Sequence, residues 1–139
     1  MASDRHHHDP PPPLRCGMLY KKGQKTALLG RANWKRRYIE LTPDAILYYT
    51  DKGGKLKGTI DLTQCTTKDI QAMPRDCVKT RRSPSSVWRI AIRTPARRFV
   101  MAANTPSEMN QWFHDLIRIV QYRTTALPSS TTNSDVFEL

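Results

Sequence analysis

The sequence predicts a mainly β domain closed by one C-terminal helix, a seven-stranded antiparallel barrel or sandwich. Three observations carry this reading. Short runs rich in β-branched and aromatic residues recur between turn residues from Gly17 to Ala103. Trp88, Ile90 and Ile92 alternate with Arg89, Ala91 and Arg93, the period-two pattern of a strand with one buried face. Beyond Thr105 the apolar spacing changes to three and four residues, the period of a helix. Strands in series followed by a single helix suit a small sandwich or barrel with the helix over one open end.

The elements follow in order. Gly17-Met18-Leu19-Tyr20-Lys21 begins the first strand, which ends at Lys22-Gly23. Trp34–Leu41 is the second, turned by Thr42-Pro43-Asp44. Ala45–Thr50 is the third, and Asp51-Lys52-Gly53-Gly54 gives a hairpin signal before the fourth, Leu56–Leu62. The fifth is poorly defined within Cys65–Thr80, and Arg81–Ser86 reads as a loop. Val87–Thr94 and Arg97–Ala103 are the sixth and seventh strands. The helix has Thr105 as N-cap, Pro106 at N1 and Glu108 at N3, a capping box. Met109, Trp112, Phe113, Leu116, Ile117 and Val120 form its apolar stripe, which is core and not a cofactor site.

Charge points to the class of partner. The 139 residues hold 23 Lys and Arg against 12 Asp and Glu, a net charge of +11. Residues 1–14 carry −1 and residues 124–139 carry −2, which leaves +14 on residues 15–123. The expected organisation is a His/Pro-rich tail (1–14), one folded domain (15–123) and a Ser/Thr-rich tail (124–139). A basic scaffold implies a polyanion, either a membrane surface or nucleic acid. Cys16, Cys65 and Cys77 have neither disulfide-framework nor zinc spacing, so a cytoplasmic protein is the simplest expectation. No apolar run is long enough to span a bilayer, and the N-terminus lacks the apolar stretch of a signal peptide. His6-His7-His8 on a flexible tail would make only a loose metal site, so neither metal nor cofactor is expected.

The informative segment is Trp34-Lys35-Arg36-Arg37-Tyr38-Ile39-Glu40-Leu41. On a strand Lys35 and Arg37 share a face with Ile39 and Leu41, which belong to the core. The two cations therefore extend the inward row to the rim. Antiparallel pairing would bring Lys21 alongside, and three converging cations suit a polyphosphorylated ligand. A solvated basic edge is the alternative reading of the charge run.

Gly17-x-Leu19-x-Lys21, Trp34-Lys35-x-Arg37-Tyr38, Leu47-Tyr48-Tyr49, Gly58-Thr59-Ile60-Asp61-Leu62 and a helix bearing Trp112 together resemble a pleckstrin-homology (PH) domain over residues 15–123. The resemblance implies a non-enzymatic module that binds phosphoinositides through Lys21, Lys35 and Arg37. Tyr49 and Lys57 match the two positions that complete a pocket for 3-phosphorylated inositides. Glu40 departs from the family pattern, and its parity puts it on the outer face. Residues 70–86 are long for the family and align poorly.

Further residues are candidate membrane contacts: Lys22, Lys25 and Arg31 around an insertable Leu28-Leu29, together with Arg36 and with Arg93, Arg97 and Arg98 at the last hairpin. Arg81-Arg82-Ser83-Pro84 has the form of a basophilic or proline-directed kinase site, although a solvated loop is the simpler reading. The C-terminal Phe137-Glu138-Leu139 could add to a sheet edge of a protein partner. The leading expectation is a monomeric, peripherally membrane-associated phosphoinositide-binding module. A protein-interaction adaptor with weak, non-selective lipid binding is the alternative. Nucleic acid is not expected, since charge is its only support. No Gly-rich phosphate loop or nucleophile–base pair argues for an enzyme.

Overall fold

The computed structural model describes residues 12–24, 33–77, 79 and 83–126, with side chains as far as residue 123. Seven strands form one antiparallel sheet: β1 (Arg15–Lys22), β2 (Trp34–Leu41), β3 (Ala45–Tyr49), β4 (Leu56–Asp61), β5 (Ile70–Ala72), β6 (Arg89–Arg93) and β7 (Arg98–Ala102). Their order is β4-β3-β2-β1-β7-β6-β5. A single helix, α1 (Pro106–Ala126), follows. This is the architecture expected from the sequence.

Strand alternation builds the core. Leu19, Ile39, Leu41, Ile46, Ile60, Ile92, Phe99 and Met101 are buried and belong to one cluster. Into it α1 inserts Met109, Trp112, Leu116 and Val120, and Phe113 and Ile117 pack at its margin. Trp112 is 1% exposed, and its indole lies near Gly17 on β1. At the start of α1, Thr105 Oγ1 accepts the Glu108 N–H at 3.1 Å. The Glu108 carboxylate turns to Asn104 Nδ2 (3.2 Å) instead of completing a reciprocal box.

The β1–β2 hairpin sets the geometry of the mouth. Its register runs from Arg15 opposite Leu41 to Lys22 opposite Trp34, which puts Lys21 opposite Lys35 and Leu19 opposite Arg37. Between β3 and β4 the register shifts: Tyr48 pairs with Gly58 and Tyr49 with Leu56, so Lys57 is the extra residue of a bulge. Gly53 closes that hairpin at φ +74°, a conformation that favours glycine.

The fifth strand falls within the expected Cys65–Thr80 and is three residues long, preceded by a single 3-10 turn at Thr67–Asp69. One expectation is corrected. The sixth has both faces covered rather than one: Arg89 and Ala91 are buried along with Ile90 and Ile92. The segment after β5 covers the second face, with Cys77 and Ser85 both buried. A small cluster of Cys77, Ala91 and Val100 forms there, with Trp34 packed against it.

Candidate functional site

The site is built on the inward-facing ends of β1, β2, β3 and β7. Lys21 follows Leu19 on the inner row of β1, and Arg37 precedes Ile39 on that of β2. Arg97 precedes Phe99 and Met101 on the inner row of β7, by the same alternation. Tyr48 belongs to the inner row of β3 with Ile46, and is buried.

Tyr48 is the organising side chain. Arg97 Nη2 donates to its hydroxyl at 2.7 Å. Lys21 Nζ lies over its ring, 4.8 Å from the centroid, and 5.8 Å from the Phe99 centroid. The Tyr48 and Phe99 rings are 5.8 Å apart and tilted. Gly58 makes room for this arrangement, because a Cβ there would overlap the Tyr48 ring and hydroxyl.

Electrostatics single out Lys21. Lys21 is pushed down from 10.5 to about 8, first by burial, then by the positive charges of Arg97, Arg37 and Lys35. Like charges directly opposite on paired strands destabilise a sheet, so the Lys21–Lys35 pair works against folding. Lys21 donates to the Lys22 carbonyl at 3.3 Å and Arg37 to the Arg36 carbonyl at 3.2 Å. Among the described residues, none of the four cations forms an ion pair with a carboxylate.

Other candidates lie elsewhere. Tyr49 is on the outer face, donating to Glu40 Oε2 at 3.3 Å with its ring 6.3 Å from that of Tyr38. Burial first and the Glu40 charge second raise its hydroxyl pKa. The tyrosine beside the cations is thus Tyr48, and Tyr49 is corrected out of the cluster. Lys57 is exposed at the bulge and alternates with Gly58 and Ile60, so it does not share their inward row. Arg36 is exposed and on the outer row with Tyr38 and Glu40. Lys22 also belongs to the outer row, with Nζ 3.7 Å from Cys77 Sγ. Arg93 and Arg98 are tied to Asp69 (3.0 Å) and Asp76 (2.8 Å). Lys25, Leu28, Leu29 and Arg31, the histidine tail and Phe137-Glu138-Leu139 fall outside the described residues.

Sequence reasoning ranked Arg97 as a secondary contact and passed over Tyr48. The signal for Arg97 was its alternation with Phe99 and Met101. Tyr48 had no such signal, because Ala45–Tyr49 is apolar or aromatic at every position.

Residues 13–121 match the family model described as PH domain. The chain belongs to the PH domain family. PH domains are non-catalytic binding modules, and the chain shares that character. It is 25% identical to the C-terminal PH domain of pleckstrin, solved in complex with D-myo-Ins(1,2,3,4,5)P5. That match covers 78% of this chain and 97% of the other, with a TM-score of 0.54. The PH domain of human TBC1 domain family member 2 protein shares the fold at 20% identity and a TM-score of 0.58, over 86% and 91% of the two chains. A curated relative, Protein daughter of sevenless from Drosophila melanogaster, is 32% identical over 105 residues. The match takes in 70% of this PH domain chain and spans 11% of that relative's length. Among the described residues of the PH domain, no helix is long and apolar enough to cross a membrane.

Proposed function

We propose that this PH domain binds polyphosphorylated inositol headgroups at a membrane surface through Lys21, Lys35, Arg37 and Arg97, with Tyr48 as the seat of the cluster. One observation carries the reading: four cations gather at the ends of β1, β2 and β7 with no carboxylate partner among the described residues, and Lys21 is lowered to about 8, first by burial and then by the other three. Folding alone gives no reason to assemble them. A ligand with several phosphates would remove the repulsion, pairing Arg bidentately and Lys as a point charge. A pleckstrin PH domain 25% identical to this chain holds an inositol pentakisphosphate, which supports the same ligand chemistry.

The finer assignment is a preference for a 3-phosphorylated headgroup. It draws on the resemblance of Lys21, Lys35 and Arg37 to the family pattern, with Tyr48 in place of Tyr49 as the tyrosine and Arg97 in place of Lys57 as the added base. Lys57, Lys22 and Arg36 would then serve general attraction to an anionic leaflet, each contributing about 1 kcal/mol. Recruitment of a cytoplasmic protein to the membrane is the expected consequence.

Titration against vesicles carrying each phosphoinositide isomer at fixed ionic strength tests both levels. Tighter binding to polyphosphorylated than to monophosphorylated vesicles supports the pocket, and a 3-phosphate preference supports the finer assignment. Equal binding to all anionic vesicles would overturn the pocket and favour the protein-interaction reading.

A further inference from the structure

The second face of β6 holds another cation with no carboxylate partner among the described residues. Arg89 is 3% exposed. Its Nε donates to the Ser86 carbonyl at 3.1 Å, and Nη1 to the Cys77 carbonyl at 2.8 Å and to Cys77 Sγ at 3.4 Å. Nη2 donates to Ser85 Oγ at 2.8 Å and to Ser83 Oγ at 3.4 Å. The indole of Trp34 covers the guanidinium, 4.5 Å from ring centroid to Cζ. Every one of these partners is neutral. A buried charge balanced only by dipoles and a ring carries a desolvation cost that an arriving anion would reduce.

The two serines on Nη2 differ in access. Ser85 is fully buried, whereas Ser83 is half-buried and is followed by the exposed Pro84. Ser83 also makes the longer bond, so it can leave while Ser85 keeps Arg89 in place. Its hydroxyl lies 2.9 Å from that of Ser85. The sequence around it, Arg81-Arg82-Ser83-Pro84, places bases before the serine and a proline after it. Structure and sequence thus single out the same hydroxyl independently.

We propose that Ser83 is a phosphorylation site whose phosphate is clamped by the buried guanidinium of Arg89. A protein kinase transfers the γ-phosphoryl group of ATP. The bond from Ser83 Oγ to the γ-phosphorus forms, the bond from that phosphorus to the bridging oxygen breaks, and ADP leaves. The hydroxyl proton passes to the kinase's general base. The product carries about −1.5 to −2 charges and three strong acceptor oxygens beside a guanidinium already oriented toward Ser83. Lys22, whose Nζ approaches Cys77 on the same side, supplies a second positive charge. The clamp replaces one weak hydroxyl contact with charge-assisted bonds. It fastens the 83–86 segment to β6 and, through Trp34, to the start of β2. Arg89 thus links the modified serine to Trp34, the residue next to Lys35 on β2.

The full chain, incubated with ATP and in turn with a proline-directed and a basophilic serine/threonine kinase, should incorporate phosphate at Ser83. Ser83→Ala should remove that site. The second pKa of the phosphate, followed by phosphorus NMR, should be about one unit lower in the folded chain than in the same chain unfolded in urea. This comparison needs no substitution at Arg89, whose replacement could cost the fold. Arg89→Lys, which keeps charge but loses the fork, should shrink the shift. No incorporation at Ser83 by either kinase overturns the modification. Equal phosphate pKa values in the folded and unfolded chain overturn the clamp.

Discussion

Two groups of cations in this molecule meet opposite fates. Around the helix and the β5–β7 side, Arg15, Arg93, Arg98 and Arg123 are paired with Asp115, Asp69, Asp76 and Asp44. At the mouth formed by β1, β2 and β7, Lys21 and Arg97 meet at Tyr48, Lys35 and Arg37 add their charge to that of Lys21, and none of the four pairs with an acid among the described residues. The Thr66 backbone N–H first and Arg93 after it lower the Asp69 carboxyl, and the hydrogen bond from Arg98 lowers that of Asp76. Lys21, at the centre of the unpaired group, is instead lowered first by burial and then by the positive charges around it. Paired charges serve the fold locally. The like charges at the mouth oppose it.

Breaking the unpaired group should have the largest effect. Lys35→Glu with Arg37→Glu removes two charge-assisted contacts, each worth about 1.5–3 kcal/mol. Vesicle affinity should fall by about two to four orders of magnitude while the melting temperature holds or rises, measured by sedimentation and circular dichroism. Undiminished phosphoinositide binding in that variant would end the distinction between the two groups.

Next in size is Gly58→Ala, which adds a methyl where Tyr48 lies. Overpacking of this kind costs about 1–3 kcal/mol of stability. Displacing Tyr48 should also weaken headgroup binding, by calorimetry, more than its effect on the fold explains.

Alkaline pH sharpens the comparison from the side of Lys21. A lysine whose pKa falls from 10.5 to about 8 on folding costs stability while it is charged, fully below about pH 8. The unfolded chain binds more protons above that pH, so stability of the free domain should rise from pH 8 toward 9.5. Above about pH 10 the raised pKa values of Tyr38 and Tyr49 act in the opposite direction, because the folded chain then holds more protons than the unfolded one. A polyanion restores the proton to Lys21, so binding near pH 8 should take up a fraction of a proton. Affinity should drop by about tenfold between pH 7 and pH 9, as calorimetry in buffers of different ionisation enthalpy would record. Binding without proton uptake would place the ligand away from Lys21.

The smallest effect belongs to the paired group. Arg93→Gln breaks a bridge to Asp69 in which the arginine side chain is 73% exposed. Exposed pairs contribute about 0–1 kcal/mol, so chemical denaturation should show little change and vesicle binding should be nearly preserved. A large loss of binding would mean that Arg93 belongs with the mouth after all.

Much of this contrast was written in local pattern. Alternation around Ile39 and Leu41 sets the facing of Lys35 and Arg37, because strand geometry admits only two faces. The three-and-four spacing after Thr105 sets the helix and puts Trp112 inside. The bounds of β2 could be read directly, since turn residues limit it on its C-terminal side and Trp34 opens it. Alternation failed where it was uninformative. Tyr48 and Tyr49 are adjacent aromatics in an apolar run, and only pairing with β2 decides which turns inward. Tyr38 and Glu40 claim Tyr49 from the outer face, which leaves Tyr48 for Lys21 and Arg97.

The strand-and-helix order, the excess of positive charge on the folded residues and the inward facing of the β2 cations all follow from the order of residues alone. Those properties depend on period and composition, which act over a few residues. Tertiary structure decided which cations go unpaired, which tyrosine seats them, and that Arg89 is enclosed by Trp34, Cys77 and Ser85. These outcomes join residues up to tens of positions apart, and long-range register and coverage by a loop leave no periodic trace in the chain.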